Sequence, residues 1–287
     1  MNIPPHQAET EMLAAVGARH QLWPADVDPI ILARGSENTT FTIDGWIVRH
    51  SIHAQVQAQE VALLSALAES VAVPVPTPVF HEPELGLFAY RRLPGTPLLH
   101  TNVRHTRSVE RGLVEVLGAL RTLDAARHLP LDAYPNKDWH QDAIRHFQDV
   151  RDYLSDSQVQ LVEAFIDQEP PPARAATIPQ HNDLGAEHIL VDARGHLTGI
   201  IDWTDAARTD PARDTGSIYR DLGGRSAFRI SEALGRPITD DEAMRIRFHA
   251  RCRWIEDVTF GLERPGTRHA YLANARRTFE HTFGNTR

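Results

Sequence analysis

Residues 181–192 read HNDLGAEHILVD and residues 201–205 read IDWTD. Asp183 follows His181 by two positions, His188 follows Asp183 by five, and Asp202 ends a second apolar run. The β-branched runs HILVD and LTGIID flank the turn-forming ARGH, which predicts a β-hairpin. Its first strand begins at His188 and its second ends at Asp202, so those two residues are neighbours across the ladder. Asp183 lies on the loop leading in. A base and two carboxylates therefore converge on one edge of a hairpin.

Three chemistries compete for that convergence. Solvated charges on a hairpin would give it no reason to exist. A hydrolytic zinc site needs three protein ligands and an open position, usually rich in His or Cys. Two acids and one histidine could supply a triad, but the segment lacks the helical HExxH spacing. Phosphoryl transfer needs magnesium on the phosphates, a carboxylate near the attacking hydroxyl and a basic side chain on the nucleotide. Magnesium prefers oxygen ligands, which suits Asp202 better than His188. Asp183 would then accept or orient the hydroxyl proton. This third reading predicts a basic residue on an early strand paired to an acid on the next helix. WIVRHS supplies Arg49 and the following segment supplies Glu60.

The flanking elements have to hold these groups. Residues 6–20 read as a helix, followed by strands IILAR, TTFTID and WIVRHS, with the hairpin turn Asp44-Gly45 between the last two. AQVQAQEVALLSALAES is an amphipathic helix by its apolar Val56, Val61, Leu64 and Leu67. VAVPVPTPVF is proline-punctuated and extended, GLFAYRRL is a strand, and PGTPL is a turn. Beyond it come helices, the linker EPPPARAA, the hairpin, and helical sequence from about Asp214 to the end. The expected fold class is α+β, with a small β-rich lobe over residues 1–93 and a larger, mainly helical lobe over residues 94–287 that carries the inserted hairpin. Residues 90–94 form the expected connection.

Composition narrows the function classes. With 287 residues, 41% hydrophobic and 24% charged, the chain matches ordinary globular proteins. A net charge of −8 argues against a nucleic-acid partner and is compatible with a cationic substrate. No apolar run reaches the ~20 residues of a membrane span, and the N-terminus lacks signal-peptide texture. Cys252 is the sole cysteine, which fits a cytoplasmic location. Lys137 is the only lysine among 30 basic residues, so any role usually given to a buried lysine falls to arginine.

Taken as an ordered set, HNDLGAEHILVD and LTGIIDW resemble the catalytic and metal-binding loops of the aminoglycoside phosphotransferase family, which has a protein-kinase-like fold. GSENTTFTIDGWIVRHS resembles the family's nucleotide-covering loop and third strand, and FAYRRLPGTPL its hinge. The resemblance runs from about Arg34 to the C-terminus. It implies a bilobal kinase-like protein with Asp183 as catalytic aspartate and Asp202 as magnesium-binding aspartate. It also implies Arg49 at the usual lysine position, with Glu60 as its ion-pair partner. His188 stands where the commonest family pattern has asparagine; the gentamicin-type and macrolide kinases resemble this chain in carrying histidine there, as a second metal ligand. Arg49 keeps the charge, but its fork is not a neutral exchange for lysine. Tyr90 falls at the gatekeeper position, Arg91 and Leu93 offer backbone groups to the base, and Ser36 lies in the phosphate-covering loop. A bulky aromatic at Tyr90 resembles the branches that accept GTP, so the implied donors are ATP or GTP with Mg²⁺.

The helical lobe has to supply the acceptor pocket. Its candidate acids are Glu187, Asp205, Asp221, Glu256, Asp257 and Glu263, with Trp254 as an aromatic wall. On a helix, Trp254, Asp257 and Val258 share a face and Glu256 falls off it. Asp210 and Asp214 cap the following helix or brace the catalytic loop. The expected activity is transfer of a γ-phosphate to a hydroxyl of a polycationic, aminoglycoside-like antibiotic. The alternatives are a macrolide or basic cyclic-peptide kinase, a choline, homoserine or sugar kinase, and, from another class, a non-catalytic nucleotide-binding pseudokinase.

Overall fold

The computed structural model describes residues 6–26, 28–35, 37–102, 107–172, 174 and 177–284. The chain divides into two compact units, Met1–Pro94 and Gly95–Arg287. None of the described helices is long and apolar enough to cross a membrane.

In the first unit, α1 (Gln7–His20) precedes strands β1 (Ile30–Arg34), β2 (Asn38–Ile43) and β3 (Trp46–Ser51). Helix α2 (Ala54–Ser70) then leads to β4 (Phe80–Glu82) and β5 (Leu87–Arg91). The five strands form one antiparallel sheet in the order β1-β2-β3-β5-β4. Asp44 and Gly45, at φ 44° and 75°, close the β2–β3 hairpin with two left-handed residues, the twist a two-residue turn requires. Strand alternation sends Phe41, Ile43, Trp46 and Val48 to one face, where Leu13 and Val16 of α1 complete a buried cluster. The opposite parity places Arg49 toward α2. The buried face of α2 is Gln57, Glu60, Leu63, Leu64 and Leu67, while Val56 is exposed. Two polar residues thus replace the expected valines on that face. Gln57 earns its place by donating to the carbonyl of Gly86 at 2.7 Å.

The second unit begins with β6 (Thr96–Pro97), α3 (Arg107–Leu120), α4 (Asp124–Arg127), α5 (Asn136–Val150) and α6 (Asp156–Ile166). Four short strands follow: β7 (Ile178–Gln180), β8 (Ile189–Val191), β9 (Leu197–Ile200) and β10 (Ala207–Thr209). Helices α7 (Ala212–Leu222), α8 (Gly224–Ala233), α9 (Asp240–Glu263) and α10 (Pro265–Phe283) complete it. The expected hairpin is β8–β9, but β6 adds a third strand to it, drawn from the segment read as a turn. A second pair, β7–β10, brackets the loops on either side of the hairpin. It is three residues long on each strand, too short for a periodic signal.

The main core joins α5, α6, α9 and α10 through residues such as Phe147, Phe165, Phe248, Trp254 and Phe279. Helix α7 is enclosed on its polar side as well as its apolar one. Its sequence is polar, yet every residue but Asp221 is buried. It approaches α9 closely: a Cβ on Gly216 would lie 2.7 Å from His249 Cβ and 3.0 Å from the Ala250 nitrogen. Its polar side chains are the struts of the site described next.

Candidate active site

The backbone around the two key aspartates is held in unusual conformations. Asn182 has φ 68° and Asp202 φ 63°, left-handed values that Asn and Asp tolerate best. Such residues cost of order 1–3 kcal/mol and persist only where neighbours over-determine them. Here the neighbours come from α7. Asp214 Oδ2 accepts the His181 amide and Oδ1 the Asn182 amide, both at 2.8 Å. Burial pushes the Asp214 carboxyl up to about 6, against the pull of those two hydrogen bonds. Asp210 instead lies one residue before the N-cap Pro211 of α7 and accepts the Ala212 amide at 2.9 Å. Arg213 reaches Asp132 at 2.5 Å, and Asp132 accepts the Asn182 side-chain amide at 2.9 Å.

The histidines have defined tautomers because their carbonyl partners can only accept. His181 is fully buried, and burial, followed by the neighbouring His188, depresses it to about 4, so it is neutral. Its Nε2–H donates to the Ile201 carbonyl at 3.0 Å, leaving Nδ1 to accept the Asp183 amide at 3.3 Å. His188 donates Nδ1–H to the Asp183 carbonyl at 2.7 Å. Its Nδ1 lies 3.6 Å from Asp183 Oδ2 and its Nε2 lies 3.6 Å from Asp202 Oδ2. Burial disfavours its imidazolium, but Asp183, Glu187 and Asp202 outweigh that and raise its pKa. The imidazole bridges the two aspartates at the mouth of the hairpin.

Asp183, Glu187, His188, Asp202, Arg220, Arg253, Glu256, Asp257, Phe260 and Tyr271 line one pocket of about 220 Å³. Both arginines escape a reading of the sequence that looks only for acids. Arg220 of α7 has a side chain 3% exposed and lies 2.8 Å from Asp221, 3.0 Å from Asp257 and 3.8 Å from Glu187. Arg253 of α9 lies 3.5 Å from Asp183 Oδ1 and 3.1 Å from Glu256. The one available clue was spacing, since Arg253 precedes Glu256 and Asp257 by three and four positions, adjacent on a helix. Burial raises the carboxyls of Glu187 and Asp257 against the pull of Arg220, whereas Arg220 overcomes burial to hold Asp221 low.

Several expected acceptor residues are displaced from that role. Trp254 is core: its indole donates to the Ala275 carbonyl at 3.0 Å and packs on Phe279 and Phe283. Asp221 is a brace, accepting the Ala186 amide at 2.8 Å and Asn274 at 2.9 Å, and does not line the pocket. Asp257 lines it but is tied to Arg220. Glu256, off the favoured helical face, does line it, with a side chain 42% exposed. Asp205 is exposed and outside the lining, and Glu263 pairs with Arg268 at 2.5 Å.

In the first unit, Arg49 Nη1 stands 4.0 Å from Glu60 Oε1, with both side chains at least nine-tenths buried. Arg49 pairs with Phe88 and Ile47 with Tyr90 across β3–β5, so Tyr90 shares the sheet face of Arg49. Arg91 turns away, its guanidinium 3.8 Å over the Trp46 ring, and Leu93 is half-buried. Ser36 lies outside the described residues.

The charge set bears on a metal. Among the described residues no group of three or more His, Cys, Asp or Glu side chains could hold an ion unaided. An ion that draws most of its ligands from phosphate oxygens and water needs only one or two protein carboxylates, and Asp202, 42% exposed, fits that description. His188 fits it less well, because a nitrogen donor suits magnesium poorly, although its Nδ1–H bond to the loop carbonyl leaves Nε2 facing Asp202.

A sheet of five antiparallel strands, a mainly helical second unit and a hairpin with Asp183 on the loop before it and Asp202 just after it define an enzyme of kinase type. The chain belongs to the phosphotransferase enzyme family, APH, whose family model matches residues 30–245. Among solved structures it is similar to aminoglycoside 2'-phosphotransferase-IIIa in its GDP complex, at 20% identity and a TM-score of 0.63, covering 96% of this chain and 99% of that one. It is also similar to the macrolide 2'-phosphotransferase MphH from Brachybacterium faecium, at 20% identity and a TM-score of 0.57, again covering 96% and 99%. Among curated proteins it is similar to YcbJ of Bacillus subtilis (strain 168), whose function is uncharacterised, with 27% identity over 207 residues. That match spans 65% of this chain and 66% of the relative's length.

Proposed function

We propose that the protein moves the γ-phosphate of ATP or GTP to a hydroxyl of an amine-bearing, antibiotic-type small molecule. The observation that carries this reading is His188, whose two ring nitrogens lie 3.6 Å from Asp183 and 3.6 Å from Asp202. It couples a carboxylate suited to a hydroxyl with a carboxylate suited to a metal–phosphate group. In the reaction, the acceptor oxygen bonds to the γ-phosphorus as the bond to the β–γ bridging oxygen breaks. The nucleoside diphosphate leaves, and the hydroxyl proton passes to Asp183 and on to solvent. Asp202 would hold Mg²⁺, with His188 orienting its carboxylate; when bound, the ion neutralises charge on the β- and γ-phosphates. Arg49, held by Glu60, would contact the nucleotide phosphates, and Tyr90 would abut the base beside backbone groups of Arg91 and Leu93. Two transferases of similar fold, one acting on aminoglycosides and one on macrolides by their names, support the acceptor class.

The lining bears on the acceptor. Glu187, Glu256 and Asp257 stand beside Arg220 and Arg253, with Phe260 and Tyr271 as apolar walls. Of these acids Glu256 has the most exposed side chain, at 42%, and it is the carboxylate that would meet a basic amine of the acceptor.

The test is a transfer assay on purified protein with ATP and GTP in parallel, magnesium present, against an aminoglycoside, a macrolide and a basic peptide antibiotic. Nucleotide consumption that depends on one acceptor supports the reading and identifies the donor. Nucleotide binding without transfer to any of them moves the assignment to a metabolite kinase or a non-catalytic binder.

A further inference from the structure

Asp183 sits on a loop, yet a phosphotransferase needs its carboxylate held to within a fraction of an ångström. The loop's own residues do not supply that restraint. His188 fixes the carbonyl of Asp183 and stands 3.6 Å from Oδ2, while the peptide linking Asn182 to Asp183 follows a residue in the left-handed region.

The missing restraint comes from α9. Arg253 Nη2 donates to the Asn182 carbonyl at 2.9 Å, and its Nη1 stands 3.5 Å from Asp183 Oδ1. One nitrogen of the fork grips the peptide that carries Asp183 and the other faces its carboxylate. The guanidinium lies 4.7 Å over the Trp139 ring, and Nη1 donates to Glu256 at 3.1 Å, so the fork itself cannot swing. From these contacts we infer that Arg253 is the positioning residue for Asp183, fixing the peptide and the carboxylate with a single planar group. A lysine could bring the charge but not two nitrogens at a fixed separation, nor a flat face for Trp139. Arg253 then stands on the Oδ1 side of the carboxylate and His188 on the Oδ2 side, at 3.5 and 3.6 Å.

The inference rests on the proposed transferase only for what Asp183 does once it is positioned. Its test therefore has two arms, applied to Arg253→Lys and Arg253→Gln. In the first, amide hydrogen exchange is followed at Asp183, whose N–H is held by His181. At least tenfold faster exchange there is expected in both variants, with the α9–α10 core unchanged. In the second, kcat should fall on the order of 10²-fold while the nucleotide KM stays within about threefold, since the loss is one of alignment. Guanidinium ion, but not methylammonium, should restore part of the activity of Arg253→Ala.

If Arg253→Lys keeps both wild-type kcat and wild-type exchange at Asp183, the positioning role is wrong. A lowered urea midpoint with neither readout changed also overturns it, because that outcome is a structural contribution alone. If wild-type protein transfers phosphate to no acceptor, the functional proposal fails, and the exchange arm still decides the role of Arg253. Should Arg253→Gln not fold, the lysine variant carries both arms.

Discussion

Arg220 and Asp257 form an ion pair 3.0 Å apart at the wall of the pocket, and the same guanidinium also holds Asp221 at 2.8 Å. Acids that would otherwise be free for a substrate are already neutralised by the protein. Removing the cation leaves buried carboxylates without compensation, a defect worth about 3–5 kcal/mol. Arg220→Gln should therefore lower the urea-unfolding free energy by that order. A loss below about 1 kcal/mol would mean that the cluster relaxes or hydrates freely, and that the pocket is less rigid than its contacts indicate.

Asp183→Asn keeps the shape of the loop while removing the carboxylate's charge and basicity. Turnover should drop about 10²–10⁴-fold, the usual worth of a positioned acid or base. Nucleotide affinity measured by calorimetry should stay within about threefold, because the affected contacts are to the acceptor. Wild-type turnover in this variant would remove Asp183 from the chemistry.

Asp202→Ala removes a half-buried carboxylate suited to a metal–phosphate group. Nucleotide affinity in the presence of magnesium should weaken at least tenfold, and the difference in affinity with and without magnesium should shrink. Equal magnesium dependence in the variant and the wild type would count against Asp202.

Asp214 makes stability depend on pH. Its folded value of about 6 is raised above the ordinary 3.8, so its contribution is full below about pH 4 and is lost as pH climbs through about 6. The free-energy difference between wild type and Asp214→Asn should therefore decline by about 3 kcal/mol from pH 4 to pH 7. Urea titrations at intervals across that range measure it. A difference independent of pH would show that Asp214 titrates at its ordinary value.

The sequence determined much of this protein through local rules. Strand alternation around Asp44-Gly45 defines the β2–β3 hairpin, because a two-residue turn of left-handed residues has one compatible register. The apolar runs either side of ARGH put His188 and Asp202 at adjacent strand ends, and spacing alone placed Asp183 beside them. Arg49 and Glu60 were legible because a phosphate-transfer site calls for a basic residue on an early strand paired to an acid on the next helix.

What the tertiary structure decided lies in long-range burial. The polarity of α7 in sequence looks like a solvated face, and nothing local says that Asp214, Arg213 and Arg220 are enclosed. They are enclosed because Gly216 lets α7 approach α9 at backbone distance, and each charge then requires a partner far away in the chain. The acids near Asp257 could not be sorted for the same reason. Helical periodicity says which side chains share a face, but not that a guanidinium from α7 meets one of them or that Trp254 turns into the core. Arg253 became meaningful only when α9 brought its fork against the Asn182 carbonyl, 71 residues earlier in the chain.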